Sequence, residues 1–152
     1  MRTETREVYI SDDDKVFDNL NACQDHERQI IENKRRIINL RVYVVSSSFD
    51  TTEGRKYFNT TYIITDANYA VVLEYCFDTF GSPLSKWYNN SYYENWIIHQ
   101  APMNADEALS RAEKNRSDCT VVFISDAPID HPQLPKPIFP WPKKTIKEVH
   151  HD

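Results

Sequence analysis

Glycine is almost absent from this chain, and its scarcity limits the loops that the chain can form. Only Gly54 and Gly81 occur among 152 residues, whereas average usage of about 7 % predicts roughly ten. A loop that wraps a phosphate needs several glycines, because a residue without Cβ lets backbone N–H groups close around the anion. The sequence therefore excludes a P-loop, a dinucleotide-binding fingerprint, a kinase glycine-rich loop and a G-x-S-x-G nucleophile elbow.

The chain is acidic and offers few metal ligands at the required spacing. It carries 18 basic and 23 acidic residues, a net charge of −5. Cys23, Cys76 and Cys119 lie far apart, with no C-x-x-C pair and no H-E-x-x-H motif. We therefore predict no cofactor and no metal. Scattered cysteines without a signal peptide predict a reduced, cytoplasmic protein, and no apolar run approaches the roughly 20 residues that span a membrane.

The first third of the chain predicts an edge strand followed by one long helix. Residues 5–10 read as a short strand. Ser11 then resembles an N-cap, with Asp14 three residues later completing a box-like cap. Apolar residues recur at helical spacing after it, and Lys34, Arg35 and Arg36 close the segment with the charge that a helix C-terminus favours. We predict an amphipathic helix over 12–36.

The hydrophobic period then changes to two, which is typical of strands. Residues 39–48, 57–65 and 70–77 predict a three-strand antiparallel meander. Ser82-Pro83 favours a short helix over 83–89. Further along, the pattern predicts a strand over 92–99, a helix over 105–115 that Asn104 and Glu107 cap, and a buried strand over 119–125. Strand, helix and strand in this order indicate a parallel, βαβ-like crossover.

The last segment is rich in proline. Six prolines lie between Pro128 and Pro142, which exclude a helix or a central strand, yet Ile138, Phe139 and Trp141 are interleaved with them. We therefore expect residues 127–152 to form an extended strap that packs on a single domain of residues 1–126. The predicted fold class is α+β, with the long N-terminal helix packed on a mixed, mainly antiparallel sheet.

One hypothesis for function is catalytic. If strands 92–99 and 119–125 are parallel neighbours, their carboxyl ends bring His99 close to Asp126, at the sheet edge where such folds place sites. Asp126 would orient His99 as a general base, and Ser47 would act as the nucleophile if its strand ends nearby. In the structural alternative, His99 hydrogen-bonds at a strand end while Asp126 caps a turn. Whether the chain is an enzyme stays open.

A second hypothesis rests on a dense aromatic segment between residues 77 and 96. Trp and Tyr dominate the energetics of protein interfaces, although the same rings also fill cores. The candidate binding residues are Trp87, Tyr88, Tyr92, Tyr93 and Trp96.

Basic residues are too few to favour nucleic acid as the partner. Arg35, Arg36 and Arg41 belong to a basic cluster within residues 26–44, and the end of a helix explains this cluster equally well. We therefore expect a non-enzymatic protein-interaction module that binds a partner with a basic surface. Small acidic chains of this kind serve as immunity proteins, antitoxins, chaperones or viral host-takeover inhibitors. The alternative is a small hydrolase or nuclease, or a small-ligand binder, with its site around His99 and Asp126.

Overall fold

The computed structural model describes residues 6–50, 56–86 and 88–138, without the side chains of 48–50 and 56–58. Contacts between Cα atoms divide the chain into two compact units, residues 1–38 and 39–152. The position of the long helix relative to the sheet stays a prediction.

The first unit holds a small β-hairpin and a long helix. Its elements are β1 (Tyr9–Ile10), β2 (Val16–Phe17) and α1 (Leu20–Ile38), and β1 pairs antiparallel with β2. The prediction that the helix begins at residue 12 was wrong. Asn19 caps the helix instead, because its Oδ1 accepts a hydrogen bond from the Asn21 N–H at 2.7 Å. Ser11 closes the hairpin loop, where its Oγ accepts from the Lys15 N–H at 3.2 Å.

The described residues of the second unit form a four-stranded sheet, two helices and a hairpin. Its elements are β3 (Arg41–Asp50), β4 (Lys56–Thr65), α2 (Tyr69–Phe80), β5 (Leu84–Lys86), β6 (Tyr92–Glu94), β7 (Trp96–Ala101), α3 (Ala105–Lys114) and β8 (Cys119–Ile124). The sheet order is β7-β3-β4-β8, and only β4 and β8 pair in parallel. An α+β fold with a mixed, mainly antiparallel sheet is therefore confirmed.

Both faces of the sheet are buried under a helix. On one face, Tyr43, Val45 and Ile63 pack in a cluster with Val72 and Cys76 of α2. On the other face lie Val42, Ile64 and Phe123, all nearly inaccessible to solvent. Helix α3 contacts β8, β4 and β3 and buries its alanine-rich side. The core of this unit thus fills both faces of a central sheet.

The third strand of the predicted meander is a helix. Residues 70–77 belong to α2, whose buried residues Val72, Tyr75 and Cys76 recur at spacings of three and four. Asn68 lies at the N-cap position, and Gly81 follows the last turn at φ 79°, where its N–H donates to the Phe77 carbonyl. Aromatic and β-branched residues favour a strand locally, but the packing of one apolar stripe on the sheet decides for a helix.

The prediction of a short helix over 83–89 was also wrong. Strands β5 and β6 pair antiparallel there, with Asn90 at φ 70° in the turn. The helix predicted over 105–115 is confirmed as α3, and the Asn104 side chain accepts a hydrogen bond from the Glu107 N–H at 2.8 Å.

The described part of the proline-rich segment packs on the sheet of the second unit, to which it belongs. Ile129 is buried, and the Ile138 N–H donates to the Phe123 carbonyl of β8 at 3.2 Å. Residues 139–152 of the predicted strap lie outside the described residues. No helix in the described part of the chain is long and apolar enough to cross a membrane.

Candidate interaction surface

The β5–β6 hairpin presents one exposed face that is both apolar and charged. Because directly paired residues of an antiparallel ladder share a face, Leu84 and Glu94 lie on the same side as Lys86 and Tyr92. All four are exposed, whereas Ser85 and Tyr93 on the other side are partly buried. The Lys86 ammonium lies 5.9 Å from the centre of the Tyr92 ring, within the range of a cation–π contact.

Two tyrosines are the most prominent groups of this hairpin. Tyr88, in the turn, is 98 % exposed, and Tyr92 is 64 % exposed. We call Leu84, Lys86, Tyr88, Tyr92 and Glu94 the hairpin patch. Tyrosines left in water on a hairpin do not contribute to the core, and such residues often anchor a protein partner.

The base of the hairpin is held firmly against the rest of the unit. Trp96, only 5 % exposed, donates its indole N–H to the Gly81 carbonyl at 3.0 Å. Its ring meets Phe77 edge-on, with 5.5 Å between the centroids. The Asn95 N–H donates to the Pro83 carbonyl at 2.7 Å. The patch therefore stands on a well-packed base.

The aromatic residues predicted as a binding set have different environments. Tyr88 and Tyr92 are exposed, as a contact surface requires, whereas Trp96 belongs to the core and Tyr93 faces inward, partly buried. Trp87 lies outside the described residues. Ile97, the second residue of β7, is also exposed.

The structure does not bring His99 and Asp126 together. Strands β7 and β8 run in the same direction, as predicted, but they occupy opposite edges of the sheet with β3 and β4 between them. Three strand spacings amount to about 14 Å. His99 is also in register with Val44, Tyr62 and, through them, Val121, so Asp126 lies five residues further along. The predicted dyad is not formed.

Ser47 lies apart from both of these residues. It pairs with Trp96 in β7, and therefore occupies the face of the sheet opposite to that of His99. The carboxyl end of β8, beyond which Asp126 lies, is in register with the start of β3, six residues before Ser47. The three predicted catalytic side chains therefore form no common site.

Asp126 instead lines a cavity at the carboxyl ends of the parallel strands β4 and β8. The cavity has a volume of about 290 Å³ and is also lined by Asp66, Ala67, Asn68 and Val71. Ser125, fully buried, donates its hydroxyl to Asp66 Oδ2 at 3.2 Å. Sequence reasoning missed Asp66, because only the β4–β8 pairing places it beside Asp126.

The three predicted nucleic-acid contacts have partners within the protein. Arg35 pairs with Glu32 one turn earlier on α1, at 2.9 Å. Arg41 is partly buried in β3 and donates to the Ala67 carbonyl. Arg36 lines a groove on α1 together with Asp25 and Glu32, and the negative charge of these two carboxylates would repel a phosphate group.

A polar cluster in the first unit joins the hairpin loop to α1. His26 Nε2 lies 2.8 Å from Asp13 Oδ2, and the Ser11 hydroxyl donates to the same carboxylate. These hydrogen bonds, that of Ser11 above all, lower the pKa of Asp13 to about 2. The carboxylate lies between hydroxyl and imidazole, so His26 does not activate Ser11 as a base would. The cluster holds the loop in place.

No group of three or more His, Cys, Asp or Glu residues that could hold a metal ion occurs within 6–50, 56–86 and 88–138. Comparison of the chain with protein-family models, with curated proteins and with solved structures gave no match.

Proposed function

We propose that the chain is a protein-interaction module and that the hairpin patch binds its partner. The exposure of Tyr88 and Tyr92 on a well-anchored hairpin carries this proposal. Leaving two large aromatic side chains in water costs hydrophobic free energy that a partner recovers by covering them.

The charge of the chain as a whole supports a partner with a basic surface. The chain carries a net charge of −5, while Lys86 and Glu94 offset each other within the patch. Opposite charge would speed the encounter with a basic partner, and like charge would disfavour binding of acidic proteins. The proposal covers immunity proteins, antitoxins, chaperones and viral host-takeover inhibitors. Three free cysteines, two of them buried, support a reducing compartment such as the cytoplasm.

The test is capture of partners from native cell extract with the tagged chain, followed by quantitative mass spectrometry. We expect one stoichiometric protein that survives moderate salt and nuclease treatment. The double variant Tyr88→Ala/Tyr92→Ala should weaken its affinity by about 30-fold or more, since each aromatic anchor contributes on the order of 1–2 kcal/mol.

Tyr69→Ala is the matched control, because Tyr69 is an exposed tyrosine at the start of α2, outside the hairpin. Circular dichroism must show that all variants are folded. Absence of a stoichiometric partner, or equal binding by the double variant and the control, would contradict the proposal.

A second candidate, a binder of a small polar ligand, is favoured by the cavity beside Asp66 and Asp126. Open sheets commonly bind ligands beyond the carboxyl ends of parallel strands, which is where this cavity lies. Its two carboxylates suit a ligand with hydroxyl or ammonium donors. The variant Asp126→Asn should abolish thermal stabilisation by any ligand found in a screen of polyols and amines. Asp118→Asn, just before the other end of β8, should retain it.

A further inference from the structure

The two edge strands of the sheet, β7 and β8, differ in whether another part of the chain pairs with their outer side. At β8, the proline-rich segment lies alongside the strand, and its Ile138 N–H donates to the Phe123 carbonyl. Along β7, no strand pairs on the outer side within the part of the chain that the structure describes. Alternate backbone N–H and C=O groups of an edge strand point away from the sheet, ready to pair with another strand.

The sequence of β7 lacks the usual protection of an edge. Trp96–Ala101 reads WIIHQA, six residues with no proline, no glycine, no lysine and no carboxylate. Edge strands commonly carry such residues because they prevent pairing with another chain. Ile97 is 49 % exposed, so apolar surface accompanies the free backbone groups.

We infer that the partner docks by adding an extended segment to the outer edge of β7, next to the hairpin patch. This inference rests on the proposed function and specifies its binding mode. Backbone hydrogen bonds to β7 would supply affinity, and alternate side chains of the added strand would supply specificity. One set of side chains would lie beside Ile97 and His99, and the other beside Ile98 and Gln100.

Charge favours a basic segment over a second copy of this chain. The chain carries a net charge of −5, so two copies repel each other, and Glu94, two residues before β7, places an exposed carboxylate at the start of this edge. A segment in which apolar residues alternate with lysine or arginine has the matching chemistry, with its apolar side chains against Ile97.

The test is selection of random 12-residue peptides displayed on phage against the whole chain. We expect enrichment of sequences in which apolar or β-branched residues alternate with Lys or Arg. Amide hydrogen exchange should show that a selected peptide protects residues of β7. Failure to enrich any peptide overturns the inference, and so does protection confined to residues 84–94.

Backbone N-methylation of a selected peptide tests strand pairing without altering the protein. Alternate residues of a strand direct their N–H groups to opposite edges, so methylation of one alternate set should weaken binding at least about ten-fold and methylation of the other set should not. Equal effects of the two sets would exclude strand addition. Light scattering then measures whether the free protein is a dimer. A dimer that the substitution Ile97→Lys converts to a monomer would mean that a second copy of the chain, and not a basic segment, occupies the edge of β7.

These results separate the inference from the proposed function. Capture of a native partner that requires Tyr88 and Tyr92, combined with peptides insensitive to N-methylation, would retain the interaction module and reject strand addition. Absence of a native partner, combined with a methylation-sensitive peptide at β7, would retain strand addition to β7 and reject the proposed interaction module.

Discussion

The two edge strands of the four-stranded sheet, β7 and β8, differ in what meets the backbone N–H and C=O groups on their outer sides. Edge β8 is met by the chain's own strap through the Ile138–Phe123 hydrogen bond, and it pairs with β4 in parallel between buried faces. Edge β7 pairs only with β3 among the described strands, and it follows directly on a hairpin with exposed tyrosines. Among the described residues, the chain itself thus covers part of the β8 edge and pairs no strand with the outer side of β7.

The largest expected difference between the edges is in packing energy. Phe123→Ala removes a ring that is almost completely buried in β8, and should lower the free energy of unfolding by about 3–5 kcal/mol. Ile97→Ala in β7 should cost less than about 1 kcal/mol, because half of that side chain is already in water. Urea denaturation of both variants measures the contrast. Similar losses in the two variants would remove the energetic basis of the comparison.

Side-chain hydrogen bonds at the end of the parallel pair give the next largest effect. Thr65, fully buried in β4, donates its hydroxyl to the Ile124 carbonyl and accepts from the Ala67 N–H, both at 2.8 Å. Thr65→Val keeps the shape but removes both bonds, and should cost about 2–3 kcal/mol. Exposed Thr120 in β8 provides the control, since Thr120→Val should change stability by no more than about 0.5 kcal/mol. Equal changes would show that these bonds do not secure the edge.

The strap itself can be released with one substitution. Ile138→Pro removes the N–H that meets β8, and should cost about 1 kcal/mol. Ile138→Val retains the N–H and most of the apolar contact, so it should be nearly neutral. Chemical denaturation compares the two variants. A proline variant as stable as the valine variant would mean that the covering of β8 contributes nothing to folding.

The rate of thiol alkylation should also differ between the two edge strands, and this is the smallest of the expected effects. Burial, with a contribution from Asp118, raises the pKa of Cys119 in β8, which lowers its thiolate fraction at pH 8 and slows alkylation. A cysteine introduced by Ile97→Cys on the open edge should react several-fold faster, by a rough estimate. Cys76, whose pKa burial raises to about 12, should react last. Peptide mapping after iodoacetamide treatment gives the order, and a faster Cys119 would contradict it.

The sequence predicted the elements whose local pattern and tertiary role agree. Helix α3 has its Asn104 cap and its alanine stripe, while β3, β4 and β8 are runs rich in β-branched residues, and all four lie close to the predicted ranges. The predictions failed where a second signal competed. Val71 and Val72 favoured a strand within α2, and Ser82-Pro83 favoured a helix where a hairpin forms.

The candidate sites depended on information that is not local. Whether β7 and β8 are neighbours is decided by which strands insert between them, and no residue of either strand encodes that order by itself. Thus His99 was predicted beside Asp126, and Asp66 was missed. Exposure of Tyr88 and burial of Trp96 likewise follow from the hairpin, since both rings occur in one aromatic run.

The turn of the β5–β6 hairpin has a thermodynamic consequence that its contacts alone do not show. Asn90 adopts φ 70° without being glycine, and the neighbouring Asn89 side chain accepts hydrogen bonds from both the N–H and the hydroxyl of Ser91. Asparagine explores fewer backbone conformations than glycine in the unfolded chain, so less conformational entropy is lost when this turn forms. The backbone between Asn89 and Ser91 is therefore ordered during folding, and in the interaction that we propose less entropy of ordering would be lost on binding.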